Sequence, residues 1–266
     1  MNSQAKGKLL VNVLMQLRKV TNHPLLMRKK YTETKLRMMA HEILKEEEFL
    51  DSDFSCVLED MQQMSDFELD NLCRKFRRVK QFRLEDNAVM DAGKIEHLIS
   101  ILRDCVERSD RILLFSQFVI VLDILERVLA ELGISFLRLD GSTAQAERQD
   151  LIDEFQNDKS VKVFLLSTKA GGFGINLTGA NVVVLYDIDF NPHNDAQAED
   201  RAHRVGQTKV VDVIRLVTKD TVEEHIYNAA LRKLDLDASV SLGKESEDTD
   251  VAGLLDLIEQ DMMKTV

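Results

Sequence analysis

Two arginines that lie three residues apart, in the stretch QAEDRAHRVGQ, have the chemistry to hold an anion. If this stretch is helical, Gln197, Arg201 and Arg204 share one helix face at spacings of four and three residues. Two planar guanidinium groups on one face can then donate several hydrogen bonds to one phosphate. The alternative is a solvent-exposed helix face on which Asp200 neutralises Arg204, which would stabilise the helix by only about 0.3 kcal/mol.

A glycine-rich stretch could bind phosphate groups as well. It begins with Ser167 and Thr168 and continues KAGGFGINLTGA, so hydroxyl and N–H groups can meet a ligand that the backbone approaches closely. A dinucleotide site is a rival interpretation, because Gly172 and Gly174 form a GxG pattern and an acidic residue ends the next apolar run. Leu177 stands where the third glycine would be, which disfavours the dinucleotide site.

The elements around these residues predict an α/β fold. Apolar runs rich in β-branched residues predict strands at residues 111–116, 135–140, 161–167, 182–187 and 211–217. Amphipathic segments between the first three strands and before them predict helices at residues 94–107, 118–132 and 143–157, the last capped by Ser142. This alternation predicts an open parallel sheet with helices on both faces. Ligands of such sheets bind at the carboxyl ends of the strands, where both stretches lie.

Charge and helix signals divide the rest of the chain. Acidic residues are concentrated in two blocks, residues 42–70 and 235–261, and the formal net charge is −11. We predict a lead-in helical segment, a charge-polarised helical insertion, the sheet domain, a closing helix and an acidic tail with a short helix, at residues 1–30, 31–90, 91–220, 221–240 and 241–266.

Composition excludes several classes of protein. The three cysteines, Cys56, Cys73 and Cys105, show no CxxC spacing, so neither a disulfide framework nor a metal site is expected. No apolar stretch reaches the roughly 18 residues that a membrane span requires, and no signal peptide is apparent. We therefore expect a soluble intracellular protein that does not interact with membranes.

Four motifs in a fixed order identify a family. They are RILLFSQF, LRLDGST, LLSTKAGGFGINLTGANVVVLYDIDFNP and QAEDRAHRVGQT, and together they resemble the second RecA-like lobe of Swi/Snf-family ATPases, the motors of chromatin remodelling. QLRKVTNHPLL resembles the segment that leads into that lobe, and DFEL, DIDFNPHND and AEDRAHRVGQTK are most similar to the SMARCAD subfamily. The resemblance covers residues 16–30 and 91–234. It implies a RecA-like lobe of a nuclear, DNA-dependent ATPase that translocates on duplex DNA and remodels nucleosomes.

The resemblance also implies roles for particular residues. Arg201 and Arg204 match two catalytic arginine fingers, which reach the γ-phosphate of an ATP held mainly by the other lobe. The positions implied to lie at the ATP are Gly174, Asn176 and Gln197. The positions implied to lie near the DNA backbone are Ser116, Gln117, Asp140, Gly141, Ser142, Thr143, Ser167, Thr168 and Gly172.

Part of an ATP site is missing from the sequence. No GxxxxGK[ST] stretch occurs, and no apolar strand ends in the Asp-Glu pair that would hold Mg²⁺. GKIEH at residues 93–97 has the lysine but neither the spacing nor the hydroxyl. We therefore expect this chain to be a C-terminal half, inactive alone, whose ATP and Mg²⁺ are held mainly by an N-terminal lobe. Its expected partners are that lobe, double-stranded DNA and nucleosomes or histones.

Other functions remain open from the sequence alone. One is a non-catalytic module that binds chromatin or DNA. Another is an RNA helicase lobe, whose arginine motif more usually ends in Arg where this chain has Gln207. The basic stretch CRKFRRVKQFR at residues 73–83 either contacts DNA or histones or balances the acidic block that precedes it.

Overall fold

The chain forms two compact units. The computed structural model describes residues 3–168 and 176–240. Residues 23–92 form one unit, and the described residues on either side of them form the other, which contains the sheet. The predicted acidic tail lies outside the described residues. The boundaries predicted from the sequence for the insertion remain a prediction.

The described residues of the sheet unit form five parallel strands in the order β2-β3-β1-β4-β5. These strands are β1 (Ile112–Ser116), β2 (Phe136–Leu139), β3 (Val163–Ser167), β4 (Val182–Leu185) and β5 (Asp212–Arg215). Every residue of β1, β3 and β4 is buried, because central parallel strands are covered on both faces. The predicted α/β fold with a parallel sheet is confirmed.

Helices account for most of the remaining described chain. In chain order they are α1 (Ser3–Asn22), α2 (Glu33–Ile43), α3 (Phe54–Gln63), α4 (Asp66–Lys75), α5 (Gly93–Glu107), α6 (Val119–Glu131), α7 (Gln145–Asn157), α8 (Pro192–Glu199) and α9 (Val222–Val240). α2, α3 and α4 belong to the unit of residues 23–92. Within the described residues, no helix is both long and apolar enough to cross a membrane.

Two helix ends show how local sequence sets the sheet unit. α6 ends before Gly133, which has a φ of +66°, a backbone conformation that glycine adopts without strain. α7 begins two residues later than predicted, and its N-cap is Ala144 without a side-chain hydrogen bond. The predicted cap by Ser142 is wrong, because the Ser142 hydroxyl donates to Asp140 over 2.6 Å instead.

The unit of residues 23–92 has its own apolar core. Leu36, Met39 and Leu69 are fully buried there. At the start of α4, the carboxylate of Asp66 accepts hydrogen bonds from the N–H groups of Lys29, Lys30 and Tyr31 at 2.9, 2.8 and 3.1 Å. Asp66 is the aspartate of the DFEL stretch. This stretch therefore has a structural role, because Asp66 holds the chain that enters α2.

Candidate functional site

Three loops that the sequence predicts to contact DNA lie at one edge of the sheet. β2, β3 and β1 are neighbours, and because all strands are parallel, their carboxyl ends share that edge. Ser116 at the end of β1 is in register with Ser167 at the end of β3. The N–H of Thr168 donates to the carbonyl of Ser116 over 3.1 Å. The structure thus brings Ser116, Ser167 and Thr168 together, beside the turn that follows β2.

Ser116 supports its loop from inside. Its side chain is fully buried, and its hydroxyl donates to the carboxylate of Asp187. The N–H of Phe118 donates to the same hydroxyl over 3.2 Å, and the N–H of Gln117 donates to Asp187 over 3.0 Å. A direct DNA contact through the Ser116 hydroxyl therefore does not fit this arrangement. Gln117, which is half-buried, is the side chain of this pair nearer to the surface.

The turn after β2 is built around a buried carboxylate. Asp140 accepts hydrogen bonds from the N–H and the hydroxyl of Ser142 at 2.8 and 2.6 Å, and from Arg138 at 2.8 Å. Its own N–H donates to the hydroxyl of Thr143 over 3.1 Å. Burial opposes ionisation, but these hydrogen bonds outweigh it and lower the pKa of Asp140. Asp140 and Thr143 therefore shape the turn, while Gly141 and Ser142 are exposed on it.

The helix predicted to carry both arginines ends before them. α8 stops at Glu199, and Arg201 and Arg204 lie in the turns that follow. The N–H of Leu177 donates to the carbonyl of Arg201 over 3.0 Å, so a remote residue takes the acceptor that a continuing helix would use. The prediction that Gln197, Arg201 and Arg204 share one helix face is therefore wrong.

Gln207 anchors the chain after the arginines. Its side-chain nitrogen donates to the carbonyl oxygens of Thr178, Ala180 and Ala202 at 3.2, 2.7 and 3.2 Å. Gly206 beside it has a φ of +105°, a backbone conformation that residues with a Cβ rarely adopt. Sequence reasoning treated Gln207 only as a departure from RNA helicases. It missed the anchor, since two of the three carbonyl groups lie 27 and 29 residues away.

Gln207→Glu is expected to lower the free energy of unfolding of the chain by about 1–3 kcal/mol, because a carboxylate has no hydrogen to donate to these carbonyl groups. Gln16→Glu, at an exposed position of α1, introduces the same chemical change as a control. Urea unfolding of both variants measures the difference. Equal midpoints for Gln207→Glu and Gln16→Glu would contradict the anchoring role.

The two arginines lie close enough to influence each other. Arg201 is buried and Arg204 is half-buried. Burial, together with the nearby charge of Arg204, lowers the pKa of the Arg201 guanidinium. The Nε of Arg204 donates to the backbone carbonyl of Asp200 over 3.3 Å. Two like charges in such proximity repel, so an anion bound beside them would be stabilised.

The remaining predicted ATP residues surround this segment unevenly. Asn176 is exposed, and its carbonyl accepts a hydrogen bond from Gln156 over 2.7 Å. It precedes Leu177, so the backbone places it next to Arg201.

Gln197 is exposed on α8. Gly174, predicted at the ATP, and Gly172, predicted at the DNA, lie outside the described residues.

α8 carries a further buried carboxylate. Asp195 accepts a hydrogen bond from the N–H of Asp189 over 3.1 Å, and Asn191 caps the helix by accepting from His193 over 3.3 Å. Burial raises the pKa of Asp195 to about 7. These bonds fix the chain between β4 and the arginines, and the sequence DIDFNPHND alone gave no indication of them.

The part of the chain that the structure describes offers no group of three or more His, Cys, Asp or Glu side chains able to hold a metal ion. Guanidinium, amide and hydroxyl groups lie at this edge of the sheet beside the buried carboxylates. Such donors are hydrogen-bond partners for phosphate oxygens.

The chain is similar to known helicases. The model of the helicase conserved C-terminal domain matches residues 93–206. The ATP-dependent helicase fft2 of Schizosaccharomyces pombe is 53% identical over 251 residues, which are 94% of this chain and 20% of that protein. The human SWI/SNF-related matrix-associated actin-dependent regulator of chromatin subfamily A containing DEAD/H box 1 is 48% identical over 258 residues, 96% of this chain and 25% of that protein. The chain thus spans about a fifth to a quarter of these relatives.

A solved structure has the same fold. The crystal structure of the C-terminal part of the Fun30 ATPase domain superimposes with a TM-score of 0.84 and is 42% identical in sequence. The match covers 99% of this chain and 86% of that one. At this identity and coverage, the likeness extends beyond the sheet to nearly the whole chain.

Proposed function

The chain belongs to the Swi/Snf family of ATP-dependent helicases as a C-terminal helicase lobe of the SMARCAD and Fun30 branch, and from that premise we propose that it is half of a DNA-dependent ATPase motor. The complete motor translocates on duplex DNA and remodels nucleosomes in the nucleus. The observation that carries this proposal is the meeting of three loops at one edge of the sheet, with the arginine segment hydrogen-bonded to the chain that follows β3.

The DNA surface of the motor is proposed at the loops after β1, β2 and β3. Gly141, Ser142 and Thr168 supply backbone and hydroxyl donors there, whereas the amide nitrogen of Gln117 is buried. Such donors contact phosphates without reading bases, as a motor that moves along any sequence requires. They also suit a chain whose net charge of −11 would repel a polyanion at long range. Ser116 and Asp140 act by shaping these loops.

The arginine segment is proposed to act on ATP bound mainly by the N-terminal lobe. Arg201 and Arg204 would donate to the γ-phosphate, and Asn176, Gln197 and Gly174 would lie near the rest of the nucleotide. Mg²⁺, held by the other lobe, would neutralise phosphate charge. Since the sequence lacks a GxxxxGK[ST] loop, the isolated chain is proposed to be inactive.

The function is tested by ATP hydrolysis with and without duplex DNA. We expect no turnover above background from the isolated chain and DNA-stimulated turnover from the complete protein. Hydrolysis by the isolated chain that Arg201→Ala abolishes would refute the proposed division between lobes. Nucleosome sliding or eviction by the complete protein, with no separation of duplex strands, would distinguish a remodeller from an RNA helicase. DNA binding without any stimulation of hydrolysis would indicate a non-catalytic module.

Thr168→Ala in the complete protein is expected to raise the DNA concentration for half-maximal stimulation by about tenfold, because one hydrogen bond from a hydroxyl to a charged phosphate is lost. Basal hydrolysis should stay unchanged. Thr34→Ala, at an exposed position on α2, is the matched control. An identical DNA titration for Thr168→Ala and Thr34→Ala would remove Thr168 from the DNA surface.

A further inference from the structure

Arg18 of α1 is a buried charge that the proposed function does not use. It is only 3% exposed, although it lies in the helix that precedes the sheet domain in the chain. Its Nη2 donates to the carbonyl of Ile188 over 2.7 Å and lies 3.9 Å from the carboxylate of Asp187. Its Cζ lies 5.0 Å from the ring centroid of Phe118 and 4.9 Å from that of Phe190.

These contacts connect α1 to two loops at the carboxyl ends of the strands. Phe118 belongs to the loop after β1, the proposed DNA loop. Ile188 and Phe190 belong to the loop after β4, which leads through α8 to the arginine segment. Asp187 contacts both sides, because it also accepts hydrogen bonds from Ser116 and Gln117. One guanidinium therefore touches the loop that would bind DNA and the loop that would direct the finger arginines.

A further hydrogen bond holds the same end of α1. The hydroxyl of Tyr186 donates to the carbonyl of Asn22 over 2.8 Å. Asn22 follows Arg18 by four residues, so both lie on the helix face that meets the end of β4. The end of α1 is thus fixed at two points, and its displacement would move both loops.

The contacts of Arg18 are better suited to fixing the positions of the two loops than to stabilising the fold. A buried ion pair contributes little net stability, because desolvation offsets the attraction. Here burial raises the pKa of Asp187, although Ser116 and Arg18 oppose that rise. Among the side chains, only arginine has a planar cation whose face can pack on aromatic rings while its N–H groups donate to a carbonyl. An apolar residue would fill the space without fixing either loop.

We propose that Arg18 is a positioning residue that couples α1 to the DNA loop and the finger loop of the motor. This inference rests on the proposed function. Hydrolysis without DNA does not require the two loops to move together, whereas stimulation by DNA does. Loss of Arg18 therefore weakens stimulation by DNA and leaves the basal rate in place. Removal of Arg18 should therefore separate DNA stimulation from basal turnover.

The test uses the complete protein carrying Arg18→Met or Arg18→Lys. We expect Arg18→Met to raise the DNA concentration for half-maximal stimulation by about tenfold, since a charged hydrogen bond and two ring contacts are lost. Basal turnover and the KM for ATP should change less than about twofold on the same grounds. Arg18→Lys should rescue little, because an ammonium group is not planar.

Arg111 provides a matched control at the opposite edge of the sheet. It is also buried, lies 3.9 Å from the ring centroid of Phe155, and donates to the carbonyl of Val161 over 3.0 Å. Arg111→Met should lower the melting temperature without shifting the DNA titration. If Arg18→Met proves unable to fold, Phe118→Leu removes one ring contact alone and should give a smaller shift in the same direction.

The outcomes separate the inference from the function beneath it. If DNA stimulates the wild type and the Arg18 variants behave like Arg111→Met, the positioning role is overturned alone. A parallel fall of basal and stimulated turnover overturns it too. If DNA does not stimulate the wild type, the proposed function fails and the inference fails with it.

Discussion

Arg201→Ala or Arg204→Ala in the complete two-lobed protein is expected to lower the maximal rate of ATP hydrolysis by about a thousandfold. Negative charge spreads over the equatorial phosphoryl oxygens during transfer, so a guanidinium placed there binds the transition state more tightly than bound ATP. ATP affinity should therefore change only about threefold, as expected for an interaction made mainly in the transition state. The steady-state rate of ATP hydrolysis and the affinity for ATP are measured on the same protein preparations.

Two further variants separate catalysis from structure. Arg201→Lys should recover little activity, because a point charge does not reproduce the planar fork. Arg215→Ala removes the ion pair with Glu199 at the end of α8, near the arginines in the chain but without a proposed contact to ATP. It should leave turnover nearly intact and cost less than about 1 kcal/mol of stability. Melting temperatures show whether burial of Arg201 adds a folding defect to the catalytic one.

Near-normal turnover with both arginines replaced would show that this segment does not reach ATP. Loss of activity in strict proportion to loss of folded protein would instead assign Arg201 a structural role. Arg204 is the cleaner position, because its side chain is only half-buried and its replacement disturbs packing less.

The sequence predicted the sheet because its signals are local. Runs such as VKVFLLS and VVVLYD are apolar over their whole length, and only strands covered on both faces bury such runs completely. The shared edge of the three loops followed from parallel strands alone. Each strand is slightly shorter than predicted.

The arginine segment was not predictable in the same way. Spacing of four and three residues fits a helix, but Leu177 and the carbonyl partners of Gln207 end that helix from elsewhere in the chain. The burial of Ser116 likewise depends on Asp187, 71 residues away. Periodicity reports local geometry, so it could identify the residues of the site but not which of them face a ligand.

Lys94 shows a further limit of motif reasoning. Within GKIEH it resembles part of a phosphate-binding loop, yet the structure makes it the centre of a buried network. Its Nζ lies 2.5 Å from the carboxylate of Glu223, and it donates to Asn22 and to the carbonyl of Tyr186 at 3.1 and 2.9 Å. These partners belong to α1, α9 and the end of β4. The side chains of Lys94 and Glu223 are 7% and 1% exposed, so water cannot solvate either charge if its partner is lost.

Lys94→Met is expected to lower the free energy of unfolding of the chain by about 3–5 kcal/mol, because it leaves Glu223 as a buried charge without its cation. Glu223→Gln should cost a similar amount by stranding the ammonium group. The double variant Lys94→Met/Glu223→Gln should recover at least about half of either loss, since no unpaired charge remains. Lys45→Met, which breaks an exposed pair with Glu42, is the matched control and should cost little.

The dependence of stability on pH gives this prediction its sign. Burial lowers the pKa of Lys94 even with Glu223 present, and removing Glu223 lowers it further. Between that depressed value and about 10.5, the unfolded chain binds more protons than the folded chain, so stability rises with pH. Glu223→Gln should therefore gain stability relative to the wild type between pH 7 and pH 9 in urea unfolding. A pH-independent difference, or a double variant as unstable as the sum of the two single ones, would mean that the buried charges do not hold α1, α5 and α9 together.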